Sequence, residues 1–307
     1  MELIRRFGAR IEADLAASFL RAYGVDAVVA ADDAGGLHPE LAAGIGGCAV
    51  HVPADQARRA AALLADVDAG GPDPDVPPTF VLVHGAWHGP QVWDAVTRRL
   101  EDHGRDVVTV ELPSSGVDPG RLGDLDADVT AVRTALDAVT GASVLVGHSY
   151  GGVVITQAAA GRGDVAHLVY VAALMLDVGG SLAGPGDRHL PSWVRLTDDG
   201  TASRPVAPVE VFTPDLDADV AATAVARLRW QSTASLRGRL TEAAWRWTPA
   251  TYVVCDRDTA IPAAAQVTMA RNAGTVHHLD TAHSPFLADP DGLTAILLGV
   301  DTNLERR

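Results

Sequence analysis

Short, almost wholly apolar runs alternate with longer stretches of helical periodicity over most of the chain. From residue 79 onward the runs Thr79–Val83, Asp106–Glu111, Ala142–Val146, Val165–Val171, Ala250–Cys255 and Thr275–Leu279 read as strands. Between and after them, Pro90–Asp102, Gly123–Val139, Gly151–Ala160, Pro262–Asn272 and Asp289–Val300 carry apolar residues at helical spacing. Strands that are apolar at every position are buried on both faces, and helices of this length supply the cover. The pattern predicts an α/β fold with a mostly parallel sheet and helices on both sides. One stretch breaks the rhythm: about 177–247 is rich in Pro, Gly and Asp, with a helical piece around 217–230. An insertion of that length after a strand reads as a lid.

Upstream, the periodicity predicts a separate unit over residues 1–67. Leu3–Phe7, Val25–Ala30 and Cys48–Val52 are strand-like, Ile11–Tyr23 and Ala54–Val67 helical, and Asp32–Gly36 has turn chemistry. This gives a small α+β domain, half of a ferredoxin-like fold. Residues 68–78 hold four Pro and two Gly among interspersed Asp, which predicts a linker before a larger domain over 79–307. The pattern Glu12-Ala13, Leu20, Gly24-Val25, Asp33, Gly35-Gly36, Pro39 and Val50-His51-Val52-Pro53 resembles a family of small bacterial domains described as signal-transducing proteins. That resemblance makes the unit a candidate for binding an unknown regulator or partner. His38 and His51 read as surface or strand histidines.

Composition narrows the chemistry. The chain has 307 residues and a formal net charge of −15, and every one of its 24 basic residues is Arg. Without Lys there is no Schiff-base, P-loop or lysine-base chemistry. The acidic balance argues against nucleic acid and anionic membrane as partners. Cys48 and Cys255 fit neither a disulfide framework nor a zinc site. The longest apolar run, Val165 to Leu176, is too short for a bilayer, so a soluble, cytoplasmic protein is expected.

Gly147-His148-Ser149-Tyr150-Gly151 lies between a predicted strand and a predicted helix. Strand, sharp turn and helix form the setting that lifts a serine out of a sheet as a nucleophile. The hydroxyl needs a base, and His283, in the loop after the last predicted strand, is best placed. His148 is adjacent to the serine, where side chains point apart, and His277 and His278 lie within a strand. The imidazole needs an orienting carboxylate. Asp258 is preferred over Asp256, which has Arg257 or the following helix to serve, and over Asp177 after the preceding strand. The oxyanion hole needs two backbone N–H groups; Tyr150 supplies one and Ala86, in His84-Gly85-Ala86-Trp87-His88-Gly89, the other. His84 and His88 are four apart, but glycine breaks the intervening helix and no third ligand is apparent, so no metal and no cofactor are expected.

Together His84–Trp93, Gly147–Gly152, Tyr252–Asp258 and His283–Phe286 look like the α/β-hydrolase superfamily. Within it they resemble the small esterases that include plant methyl esterases, hydroxynitrile lyases and bacterial pyrethroid-type esterases. The resemblance implies the same roles: Ser149 nucleophile, Asp258 acid, His283 base, Ala86 and Tyr150 oxyanion donors. The lyases of that branch carry a lysine after the histidine, where this chain has Ser284, which disfavours a lyase. The expected activity is cleavage of a small apolar carboxylic ester, with Trp87, Trp193 and Trp230 as pocket walls. Alternatives are a barely catalytic small-ligand receptor on the same fold, or cofactor-free perhydrolase or lyase activity of the same triad. A homodimer is compatible with every one of these readings.

Overall fold

The computed structural model describes residues 1–30, 47–68, 76–184 and 190–304. The turn read at Asp32–Gly36, His38, most of the 68–78 linker and residues 185–189 of the insertion lie outside the described residues. The chain divides into two compact units, Met1–Gly71 with Gly161–Asp164, and Pro72–Ala160 with Val165–Arg307.

In the first unit, β1 (Glu2–Phe7), α1 (Arg10–Ala22), β2 (Val28–Ala30), β3 (Cys48–Val52) and α2 (Ala57–Asp68) follow the predicted order. The sheet runs β1-β3-β2 with both pairings antiparallel. Ala13, Ala17 and Leu20 of α1 and Ala60, Leu63 and Leu64 of α2 share a buried cluster with Val50 and Val52. The second strand is shorter than expected and begins at Val28.

The second unit is built on a six-stranded sheet. Its strands are β4 (Thr79–Val83), β5 (Val107–Val110), β7 (Ser143–His148), β8 (Val165–Val171), β12 (Ala250–Cys255) and β13 (Thr275–Leu279), with β6 (Ser115–Gly116) set apart after β5. The order is β13-β12-β8-β7-β4-β5, parallel throughout. Alternation along the strands explains the unbroken apolar runs. Phe80, Leu82, Val144, Val146 and Val253 point to one face, where they meet Trp93, Val96, Leu100, Leu293 and Leu297. Val81, Val83, Leu145 and Val254 point to the other, against Val129, Val132, Leu136 and Val153. The covering helices include α3 (Asp94–Asp102), α4 (Leu125–Asp137) and α5 (Gly151–Ala158), joined by the last helix, which carries Leu293 and Leu297. Asp124 caps α4 by accepting a hydrogen bond from the Ala127 N–H at 3.0 Å, so that helix starts after the predicted Gly123.

Between β8 and β12 the insertion holds β9 (Val194–Leu196), β10 (Ala202–Pro205), α6 (Pro208–Phe212), α7 (Ala218–Ala226), β11 (Trp230–Ser232) and α8 (Thr233–Arg237). A second sheet, β6-β11-β10-β9, is antiparallel. Periodicity did not reveal it, because strands of two to four residues are too short to show alternation. The chain then completes the main sheet through β12, α9 (Ala263–Ala270) and β13, and ends in α10 (Pro285–Ala288) and α11 (Pro290–Leu304). Among the described residues no helix is long and apolar enough to cross a membrane.

Candidate active site

β7 runs directly into α5, and Ser149 sits at the turn between them with φ 53°. That is the left-handed region, strained for any residue with a Cβ, and it persists because the surroundings hold it. The Ser149 N–H donates to the Val171 carbonyl at 3.2 Å, and its own carbonyl accepts from Gly152 and Leu174, both at 3.1 Å. The turn closes only because Gly151 has no side chain: a Cβ there would lie 2.7 Å from the Val83 carbonyl oxygen. Gly85 matters in the same way, since its Cβ would stand 2.8 Å from Ser149 Cβ. The loop after β4 therefore passes directly against Ser149.

Two residues of this turn and the adjoining loop were expected to supply backbone N–H donors. Ala86 and Tyr150 are 2% and 0% exposed. Among the described residues, no acceptor takes the backbone N–H of either one. An oxyanion hole requires two backbone N–H groups that are free to donate.

β13 leads into the loop that carries His283, and β12 into the loop that carries Asp258. The imidazole and carboxylate are buried and joined, Nδ1 to Oδ2, at 2.7 Å. An ionised carboxylate only accepts, so Nδ1 carries the proton and Nε2 presents a lone pair. Asp258 is held in turn: Oδ1 accepts from the Ala260 and Ile261 N–H groups at 2.8 and 3.1 Å, and Oδ2 from Gln266 Nε2 at 2.7 Å. The His283 loop is fixed from two further sides. His148 Nε2 donates to the His283 carbonyl at 2.8 Å. Asp215, in the insertion, accepts from the Ala282 N–H at 2.7 Å and lies 3.6 Å from Arg257. The His148 and His283 rings stand 4.7 Å apart, which sets the His283 ring beside the elbow. Among the described residues no hydrogen bond joins His283 Nε2 to Ser149 Oγ; such contacts commonly tighten only when substrate binds.

The other carboxylates are placed elsewhere. Asp256 Oδ1 bonds His278 Nδ1 at 2.8 Å rather than Arg257 or the next helix. Asp177 is an exposed partner of Arg246 at 2.6 Å, and that guanidinium lowers its pKa. Three more histidines crowd the site as neutral rings. Burial lowers His84 to about 3 and His88 to about 4, and pushes His148 well below its ordinary value. His84 is tied by Nδ1 to the Gly85 carbonyl, and its Nε2 accepts from the Leu112 N–H at 3.2 Å.

A small cavity of about 50 Å³ opens beside these loops, lined by His88, Val92, Phe212, Val225, Leu228 and Leu287 among others, with Ser284 and Arg227. The tryptophans expected to wall a pocket are not part of this lining. Trp87 is buried and stacks edge-on against Trp193 at 5.4 Å, and both lie near Phe212. Trp230 lies in the insertion sheet under the Arg204 guanidinium at 4.2 Å. Aromatic content singled these rings out, but packing of the insertion onto the core uses them first. Gln266 and Asp215 were missed because an isolated Gln in a helix or Asp in an irregular stretch carries no periodic or motif signal.

Known proteins match the chain over this same region. Residues 80–296 match the model of the alpha/beta hydrolase family. An alpha/beta hydrolase of Aspergillus novofumigatus is 30% identical over 232 residues, covering 70% of this chain and 92% of that protein. Methylesterase 7 of Arabidopsis thaliana is 28% identical, covering 72% and 95%. The crystal structure of a pyrethroid hydrolase from Sphingobium faniae superposes with a TM-score of 0.65 at 25% identity, over 73% of this chain and 97% of that one. A parallel sheet with a strained serine at its carboxyl edge and a family match over 80–296 lead to one conclusion: the chain belongs to the alpha/beta hydrolase family.

Proposed function

We propose that the protein is a serine esterase that cleaves a small, fairly apolar carboxylic ester through an acyl-enzyme. The observation that carries this reading is the strained Ser149 turn beside the buried His283–Asp258 pair joined at 2.7 Å. Ser149 Oγ attacks the ester carbonyl while His283 Nε2 takes its proton. The imidazolium is stabilised by Asp258 across the 2.7 Å bond. Negative charge on the former carbonyl oxygen is met by the Ala86 and Tyr150 N–H groups, each such donor contributing about 3 kcal/mol to the transition state. Collapse expels the alcohol with the proton from His283, and a water deprotonated by the same imidazole then releases the acid.

The cavity supports the substrate class. Val92, Phe212, Val225, Leu228 and Leu287 give it an apolar wall, and Ser284 and His88 connect it to the base and oxyanion loops. The insertion, which supplies Phe212 and Asp215, is the lid in this reading. The similarity to a methylesterase and a pyrethroid hydrolase supports an ester as the bond cleaved. The test is hydrolysis of p-nitrophenyl esters of graded chain length by the full chain and by Ser149→Ala. Turnover should favour short acyl groups and fall by on the order of 10⁶ in the variant. Undiminished hydrolysis by Ser149→Ala would overturn the assignment.

A further inference from the structure

Behind the oxyanion hole lies a buried chain of polar groups drawn from four separate segments. Tyr150 Oη donates to Asp128 Oδ2 at 2.8 Å, from the elbow to α4. Asp128 also accepts from Ser114, through the backbone N–H at 2.9 Å and the hydroxyl at 2.5 Å. Gln231, on β11 of the insertion, donates Nε2 to Ser114 Oγ and to Ser235 Oγ, both at 2.7 Å. Its Oε1 accepts from the Trp87 backbone N–H at 3.0 Å. Asp128, Ser114, Gln231 and Tyr150 are all fully buried.

Resting on the esterase reading above, we propose that Asp128, Ser114 and Gln231 are positioning residues, a relay that fixes the two oxyanion-hole N–H groups relative to each other. The hydrogen-bond directions permit a single arrangement. The Trp87 N–H can only donate, so Gln231 must turn Oε1 toward it and Nε2 toward the serines. Ser114 Oγ, receiving from Gln231, must then donate to Asp128. The carboxylate ends the chain as an acceptor of three donors, which offsets the cost of burying its charge. Burial raises Asp128 to about 6, so it is ionised at neutral pH.

What the relay holds is the peptide unit next to each donor. Between Ala86 and Trp87, the carbonyl accepts from His88 Nδ1 at 2.8 Å and the N–H donates to Gln231. That peptide plane is pinned on both edges, and Trp87 is kept at φ 63°, a conformation a bulky residue avoids when free. At the other end, the Tyr150 phenol anchors the residue whose own N–H faces the oxyanion. Gln231 comes from the insertion, so the relay also ties that segment's sheet to the catalytic loops.

The test is a double-mutant cycle on the full-length enzyme with Tyr150→Phe and Gln231→Met. Among the described residues these two side chains do not touch; Asp128 and Ser114 join them, with Ser235 as a second bridge between the Tyr150 phenol and Gln231. With p-nitrophenyl butyrate, each single variant should lose about 10- to 100-fold in kcat with KM within threefold, the mark of stabilisation confined to the transition state. Affinity for a butyl trifluoromethyl ketone should fall in step with kcat. The double variant should lose little more than the worse single one, because both cut the same relay. Losses that multiply, or a rise in KM with kcat unchanged, overturn the proposal. Amide exchange at Trp87 gives a readout independent of turnover: it should speed at least tenfold in Gln231→Met, and unchanged exchange refutes the relay even where the esterase reading stands. Loss of turnover in the wild type with Trp87 exchange still responding would instead count against the esterase reading alone. If Gln231→Met does not fold, Ser114→Ala removes the middle link at minimal change in volume, with the same outcomes.

Discussion

Gly85→Ala places one methyl group between the oxyanion loop and the nucleophile. The added Cβ would stand 2.8 Å from Ser149 Cβ and 2.8 Å from His148 Nδ1. Carbon atoms in contact prefer a separation of about 3.5 Å or more, so roughly 0.7 Å of displacement must be found. Neither neighbour yields easily. Ser149 is locked by backbone bonds to Val171, Gly152 and Leu174, and His148 by its bond to the His283 carbonyl. A misplacement near 1 Å costs on the order of 10²-fold in rate, so kcat should fall about 30- to 100-fold. Overpacking of this kind should also lower stability by about 1–3 kcal/mol. The assay is steady-state hydrolysis of a p-nitrophenyl ester, with circular dichroism to establish that the variant is folded. A folded Gly85→Ala enzyme within threefold of wild type would refute the claim that this loop lies against a fixed nucleophile.

Two further outcomes follow from the site. Asp258→Asn keeps the shape but removes the charge that steadies the imidazolium, and the amide NH₂ favours the wrong tautomer. Its kcat should fall on the order of 10⁴-fold with KM nearly unchanged in steady-state kinetics; a loss below tenfold would move the acid role elsewhere. His88 tests the linkage of buried histidine to stability. Burial lowers its pKa from 6.5 to about 4, so the unfolded chain takes up the proton first as pH falls. Its contribution is whole above pH 6.5 and is lost as pH falls toward 4, about 2 kcal/mol of it by pH 5. Asp128, pushed up to about 6, works in the opposite sense over the lower part of that window. In urea unfolding, the stability advantage of wild type over His88→Asn should shrink by about 2 kcal/mol between pH 8 and pH 5. A gap independent of pH would contradict a buried neutral ring.

The main sheet was legible because its central strands are buried on both faces, so Thr79–Val83 and Ala250–Cys255 stand out as largely apolar runs without a charged residue. The elbow was legible for a related reason: close approach of strand and helix demands glycine at fixed offsets from the serine. Asp258 and His283 could be singled out because the loops that carry them follow recognisable strands. The insertion was far less readable. Its strands have three or four residues, and its aromatic side chains serve packing, as Trp230 under Arg204 illustrates. Asp128, Ser114, Gln231 and Asp215 were invisible for a deeper reason. Polar residues separated by tens of positions acquire a joint role only once the sheet brings their segments together, and no local pattern marks them beforehand.

The central claim is that Ser149 is an activated nucleophile whose base is His283. Intact-mass spectrometry after treatment with a fluorophosphonate, followed by peptide mapping, measures this directly. One adduct per chain on Ser149 is predicted, forming at least 100-fold more slowly in His283→Ala. Labelling at another residue, or an unchanged rate in that variant, would contradict the account.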